Sequence, residues 1–179
     1  LNEKEKILKL NTHESAAVRL AVALTLRKLE DPRISYFLKD SDETVRFAAI
    51  RAINDLDLPT AGPALAAHIE HYINQTDGFR IPTGHQAWII QPRLINANFR
   101  VGTKACAQRL IDYAAATHLP TIMREQALDA LAEWPNPTPV DPTVGYYRPI
   151  DPKSRIDITP TIQTSFQKVF DVADGTLLA

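Results

Sequence analysis

The chain has 179 residues, 45% hydrophobic and 23% charged, a composition suited to a globular core that buries roughly 70% of the unfolded surface. Twenty Lys and Arg against 21 Asp and Glu leave a net charge of -1, which argues against binding to nucleic acid or anionic membrane by bulk charge, and no run approaches the roughly 18 apolar residues of a membrane span. A single cysteine, Cys106, excludes an internal disulfide, a paired-cysteine zinc site and a c-type haem attachment motif from this stretch.

Glu14 to Leu29 is apolar almost all round, with Ala17, Val18, Ala21, Val22 and Leu24 on overlapping faces. This predicts a helix covered on more than one side. Asp31-Pro32 opens a shorter amphipathic segment carrying Ile34, Phe37 and Leu38, since proline in a first helical turn forfeits no hydrogen bond. Lys39-Asp40-Ser41-Asp42 then supplies N-cap oxygens for a helix from Asp42 to Leu56. Val45 to Ile53 repeats Val18 to Leu26 at an offset of 27 residues, with Arg46 over Arg19, and Met123 to Leu131 is a third copy that begins Met123-Arg124. Repetition of this kind is a signature of stacked helical units. It predicts Val18, Val45 and Met123 at equivalent inward positions.

Pro63 opens a helix with Leu65, Ala66, Ile69 and Ile73 at helical spacing. Gly78, Pro82, Gly84 and Pro92 punctuate the stretch after Asn74, which predicts an insertion over about 75–92, partly extended, followed by a short helix from Arg93 to Phe99. Thr103 to Ala116 sets Cys106, Leu110, Tyr113 and Ala114 on one stripe. After Trp134, prolines 135, 137, 139 and 142 predict extended chain near polyproline II, lying against the helical body. Its apolar residues, among them Val140, Val144 and Ile150, are not those of a flexible linker. Thr159-Pro160 opens a last helix with Ile162, Phe166, Val169 and Phe170 on one stripe. The expected fold is therefore all-α: an α-solenoid of antiparallel helix pairs over 1–134, a proline-rich segment over 135–159 and a capping helix over 160–174. The opening Leu1 and the lack of an apolar signal segment predict a piece of a longer protein.

The helix pairs, with an opening such as Asp42-Glu43-Thr44-Val45-Arg46, resemble HEAT repeats over roughly residues 1 to 134, at a period shorter than the roughly 40 residues usual for the class. Three phrases, Phe47 to Ala66, Arg93 to Ala105 and Arg124 to Pro149, are similar to the helical-repeat segment of large bacterial secreted proteins. Those proteins join a sugar-dehydrogenase-like β-propeller, HEAT repeats and a cytochrome c domain. The resemblance implies an extracytoplasmic, periplasmic or secreted, multidomain and redox-linked parent, and it carries no catalytic residue over to this stretch.

Residue chemistry adds little to that. His68 and His71, three apart on a helix, have a spacing open to metal ligation or to a plain solvent-facing pair, and no Cys or carboxylate pattern completes a metal site. Cys106 lies on an apolar stripe, as a buried inert thiol does, and Asp55 and Asp57 follow a helix end as turn residues. Arg19, Arg46 and Arg124 read either as an anion-binding ladder or as joints to carboxylates and carbonyls of neighbouring repeats. The candidate contact residues are Phe79, Arg80, His85 and Trp88 in the insertion and Tyr146, Tyr147 and Arg148 in the proline-rich stretch, a composition typical of interface hot spots. The expectation is a scaffold without enzymatic activity, cofactor or metal, binding other domains of its parent chain or a protein partner. The alternatives are a lid over the site of a sugar-dehydrogenase-like enzyme and, disfavoured by net charge, a nucleic-acid-binding HEAT-like protein.

Overall fold

A computed structural model of the protein describes residues 3–75 and 80–172. Among the described residues the α-helices run in chain order: α1 Glu3–Leu8, α2 Ala16–Lys28, α3 Glu43–Asp55, α4 Gly62–His68, α5 Glu70–Ile73, α6 Gly84–Val101, α7 Lys104–Ala115, α8 Thr121–Ala132, α9 Thr159–Ser165 and α10 Gln167–Val172. No strand occurs among the described residues, only an isolated antiparallel bridge between Val140 and Tyr147. The fold class is the all-α, solenoid-like one that the repeats predict. The chain divides into two units, 1–65 and 66–179.

In the first unit α2, α3 and a 3-10 helix, Pro32–Lys39, pack together over Leu26, Ile34, Phe37, Val45, Ile50 and Ile53, all buried. Capping residues set the boundaries. The Asp31 carboxylate accepts from the Arg33 amide at 3.1 Å, and the Asp42 carboxylate accepts from the amides of Thr44 and Val45 at 2.9 and 3.2 Å. Contrary to the sequence reading, α2 is covered on one side only: Ala17, Ala21 and Leu24 form an exposed stripe, and Val18 is half-buried where Val45 and Met123 are fully buried. An all-round apolar helix carries no information on which of its faces finds a neighbour.

The repeated arginines are joints. Arg19 donates to the carbonyls of His13 and Glu14 at 2.8 and 2.9 Å, and Arg46, 27 residues on, donates to those of Asp40 and Ser41 at 2.6 and 3.0 Å. Each guanidinium thus grips the turn that leads into its own helix. Arg19 also makes a two-point contact with the Asp40 carboxylate at 2.7 and 2.8 Å, tying α2 to the turn before α3. Arg46 and Arg124 are both 4% exposed, and the Arg124 Nε donates to the Ala114 carbonyl at 2.7 Å. The repeat register fixes where these arginines stand, and their burial rules out an open anion ladder.

In the second unit α6 packs against α7 and α8, α7 against α8, and α9 and α10 against α7. The segment expected to be an insertion over 75–92 is helical from Gly84 onward, and the short helix expected at Arg93 is the second half of the same 18-residue α6. Pro92 lies inside it, depriving the Trp88 carbonyl of its i+4 amide, a defect of about 3 kcal/mol in an isolated helix. Burial of Ile90, Leu94, Ile95 and Phe99, at about 1.5–3 kcal/mol per large side chain, outweighs it. Gly102 ends the helix at φ +70°, the left-handed cap glycine adopts most easily. The helix expected from Pro63 breaks at His68–Ile69 into α4 and α5. The capping helix expected over 160–174 is likewise two short helices, and Ala173 and Asp174 lie outside the described residues.

Candidate interaction groove

Two stripes at helical spacing face each other in the second unit. Trp88, Pro92, Ile95 and Phe99 stand at i, i+4, i+7 and i+11 on α6, and Gln126 and Asp129 on α8 with Glu133 at its C-cap stand at i, i+3 and i+7. They enclose a groove of about 380 Å³ that the chain at Pro142 and Thr143 also lines. The α6 wall is mainly apolar, interrupted by Arg93 and Asn96, and the facing wall carries Asp129 and Glu133. Trp88, 55% exposed, also borders a second, mostly apolar hollow with Pro82, Ala87, Ile122 and Met123, so its indole stands as a ridge between the two.

The end of the groove is held by side chains from distant parts of the sequence. Pro139 to Arg148 folds into a tight hairpin, in which the Asp141 amide donates to the Tyr146 carbonyl at 2.9 Å and the Arg148 amide to the Pro139 carbonyl at 2.9 Å. Asp141 anchors it. Its carboxylate accepts from the amides of Thr143 and Val144 at 2.9 and 3.3 Å and from the Asn96 side chain at 3.0 Å. Arg100 and Arg148 lie 3.8 and 3.6 Å from the same fully buried carboxylate, so its charge is both hydrogen-bonded and balanced.

A second clamp lies where the proline-rich chain returns. The Arg155 guanidinium stacks over the rings of Trp134 and Phe99 at 4.1 and 4.4 Å and donates to the carbonyls of Trp134 and Phe99 at 3.1 and 2.5 Å. The buried Trp134 indole in turn donates to the Ile156 carbonyl at 3.2 Å. Burial pulls the Arg155 guanidinium down to about 10, with the nearby Arg100 charge acting in the same direction and Cys106 against it. It stays charged at neutral pH. Gly102 permits this stack, because a Cβ there would lie 2.5 Å from the Arg155 Nη1.

Of the residues singled out in the sequence, Trp88 lines the groove. Arg80 and His85 are exposed just before and within the first turn of α6, outside the lining, and Phe79 lies outside the described residues. Tyr146 and Tyr147 are exposed on the hairpin, and Arg148 is engaged beneath it, with its guanidinium 5.5 Å from the Tyr146 ring centre. Sequence reasoning missed Asn96, Asp141 and Arg155. Asn96 stands as a polar residue in an apolar run, and Asp141-Pro142 is a turn signal, but their pairing across 45 residues leaves no local trace.

The other reactive groups are absorbed by the fold. Cys106 is buried beside the Thr103 hydroxyl, 3.1 Å away, with the Arg109 Nη1 at 3.9 Å. His68, expected to face solvent, is buried with its ring edge-on to His71 and Tyr72 at 5.0 and 5.8 Å, because α4 turns it inward. Tyr113 donates its hydroxyl to the buried Gln91 side chain, and burial pushes its pKa up. Asp55 and Asp57 sit at the end of α3, with Asp57 at φ +52°. Among the described residues no group of three or more His, Cys, Asp or Glu could hold a metal ion, and no helix is long and apolar enough to cross a membrane.

No curated protein and no solved structure matches this chain. Residues 5–74 match the family described as HEAT repeats, a stretch that holds the first two arginine-marked copies and their turns. Over residues 5–74 the chain is thus similar to HEAT repeats.

Proposed function

We propose that this chain is a non-enzymatic scaffold whose α6–α8 groove holds another domain of its parent protein or a protein partner. The observation that carries the reading is Trp88, a large aromatic left more than half exposed on a wall fixed by a hydrogen-bonded hairpin and a stacked arginine. Rigid aromatic anchors beside a preformed hollow are the usual centre of a protein interface. The use of charge supports the non-enzymatic reading: Arg19, Arg46, Asp40 and Asp141 are each committed to a structural joint. The resemblance of the three phrases to bacterial dehydrogenase-like proteins supports a redox-linked, extracytoplasmic, multidomain parent.

The exposure of Arg80 and His85, which precede Trp88 in the sequence, favours, as a second reading, contact of this stretch with substrate on a neighbouring catalytic domain. Association of the chain with separately produced neighbouring domains tests the scaffold directly. Trp88→Ala is expected to weaken it about tenfold or more with unchanged far-ultraviolet dichroism. Undiminished association would overturn the groove as the contact, and loss of parent activity with association intact would favour the lid.

A further inference from the structure

The two walls of the groove differ in character, and that difference selects among partners. On the α8 wall Asp129 and Glu133 are exposed, and neither makes an ion pair among the described residues. Glu133 only accepts a 3.3 Å hydrogen bond from the Thr138 hydroxyl. Arg93, the cation on the opposite wall, donates to the Ile89 carbonyl of its own helix. The groove therefore offers two carboxylates without an ion pair among the described residues, across from a wall that is apolar except at Arg93 and Asn96, an arrangement with an excess of negative charge that favours a cation on an apolar stem over an acidic one. At the other end of the same face, Ile122 and Trp88, both exposed, frame the apolar hollow with Met123 and Pro82.

Helix geometry converts this into a spacing. Ile122 precedes Asp129 by seven residues and Glu133 by eleven, which is about 10 to 16 Å along α8 at about 1.5 Å per residue. An extended chain covers that distance in about three to five residues. We infer that the α6–α8 groove takes an extended segment of a protein partner that carries one bulky apolar anchor and, about three to five residues from it, a lysine or arginine. The anchor seats against Trp88 and Ile122, and the cation lies between Asp129 and Glu133. This rests on the groove being the contact surface and adds the chemistry of what it contacts.

The probes are synthetic peptides with one leucine anchor and an arginine four residues away, with glutamate or glutamine in place of that arginine, or with the arginine moved next to the leucine. Binding is read by emission of Trp88 and by calorimetry on the whole chain. The expected result is that the spaced arginine peptide binds tightest. Asp129→Asn with Glu133→Gln should weaken it about three- to tenfold without changing the melting temperature, and the glutamate peptide should bind no tighter to the wild-type protein than to this variant. Added salt should narrow the gap between arginine and glutamine peptides. Equal binding of all peptides through Trp88 would overturn the basic partner and leave the groove as a contact surface. Failure of every peptide to perturb Trp88 would overturn the inference, while the association test with neighbouring domains would still judge the groove by itself.

Discussion

At the scale of single residues, the second unit depends on the packing of Arg155 between Trp134 and Phe99 and on the absence of a side chain at Gly102. Gly102→Ala meets two obstacles, a left-handed backbone and the Arg155 Nη1 at 2.5 Å from the new Cβ. It is expected to lower stability by about 2 kcal/mol, read as a shift in the denaturant midpoint with unchanged slope. Acid acts on the first unit. The Arg33 side chain holds the Asp31 carboxyl down to about 2 from 3.8. Burial raises the Asp40 carboxyl, but the Arg19 hydrogen bond, the Asp42 amide and the Arg19 charge together outweigh it, leaving it below its ordinary value. Because both folded-state values lie below the unfolded ones, the stabilisation is fully present above about pH 4 and is lost as pH falls toward 2. The melting temperature should therefore fall on acidification through that window. Asp31→Asn should flatten the decline, and an equally steep one would show that other carboxylates govern it.

At the scale of elements, what could be read from the sequence was local. Capping residues and stripes placed α3 and α7, because Asp42, Thr103 and the Cys106–Leu110–Tyr113 spacing are short-range signals, and the third repeat copy, Met123 to Leu131, placed α8. The same local rules misread α6, since Pro92 and Gly84 are punctuation in isolation and the compensating burial of Ile90 and Leu94 comes from other helices. Trp88 was legible as an exposed aromatic, but its groove was not, because the α8 stripe and the Asn96–Asp141 pairing depend on tertiary contact. The 27-residue register does make a strong claim at Val45, a fully buried residue of α3, the helix that packs against α2 and the 3-10 helix. Val45→Asp would place an unpaired charge in that layer and should destabilise by about 3 kcal/mol or more. Urea denaturation checks it, and a loss below about 1 kcal/mol would mean the layer opens to water.

At the scale of the whole molecule, the HEAT-repeat match falls on residues 5–74, whereas the groove is built by residues 88–143, beyond the matched stretch. Repeat arrays leave open faces along their length; in the second unit the face between α6 and α8 is open, and the proline-rich chain at Pro142 and Thr143 walls part of it. Iodide quenching of tryptophan emission tests most directly whether that face is a contact surface, because the chain has two tryptophans of opposite exposure, Trp88 at 55% and Trp134 at 1%. In the isolated chain the Trp88 component, identified by its loss in Trp88→Phe, should be readily quenched and the Trp134 component shielded. In the complex with a bound protein partner the Trp88 component should become shielded as well. A Trp88 component quenched equally in the isolated chain and in that complex would contradict a contact surface there.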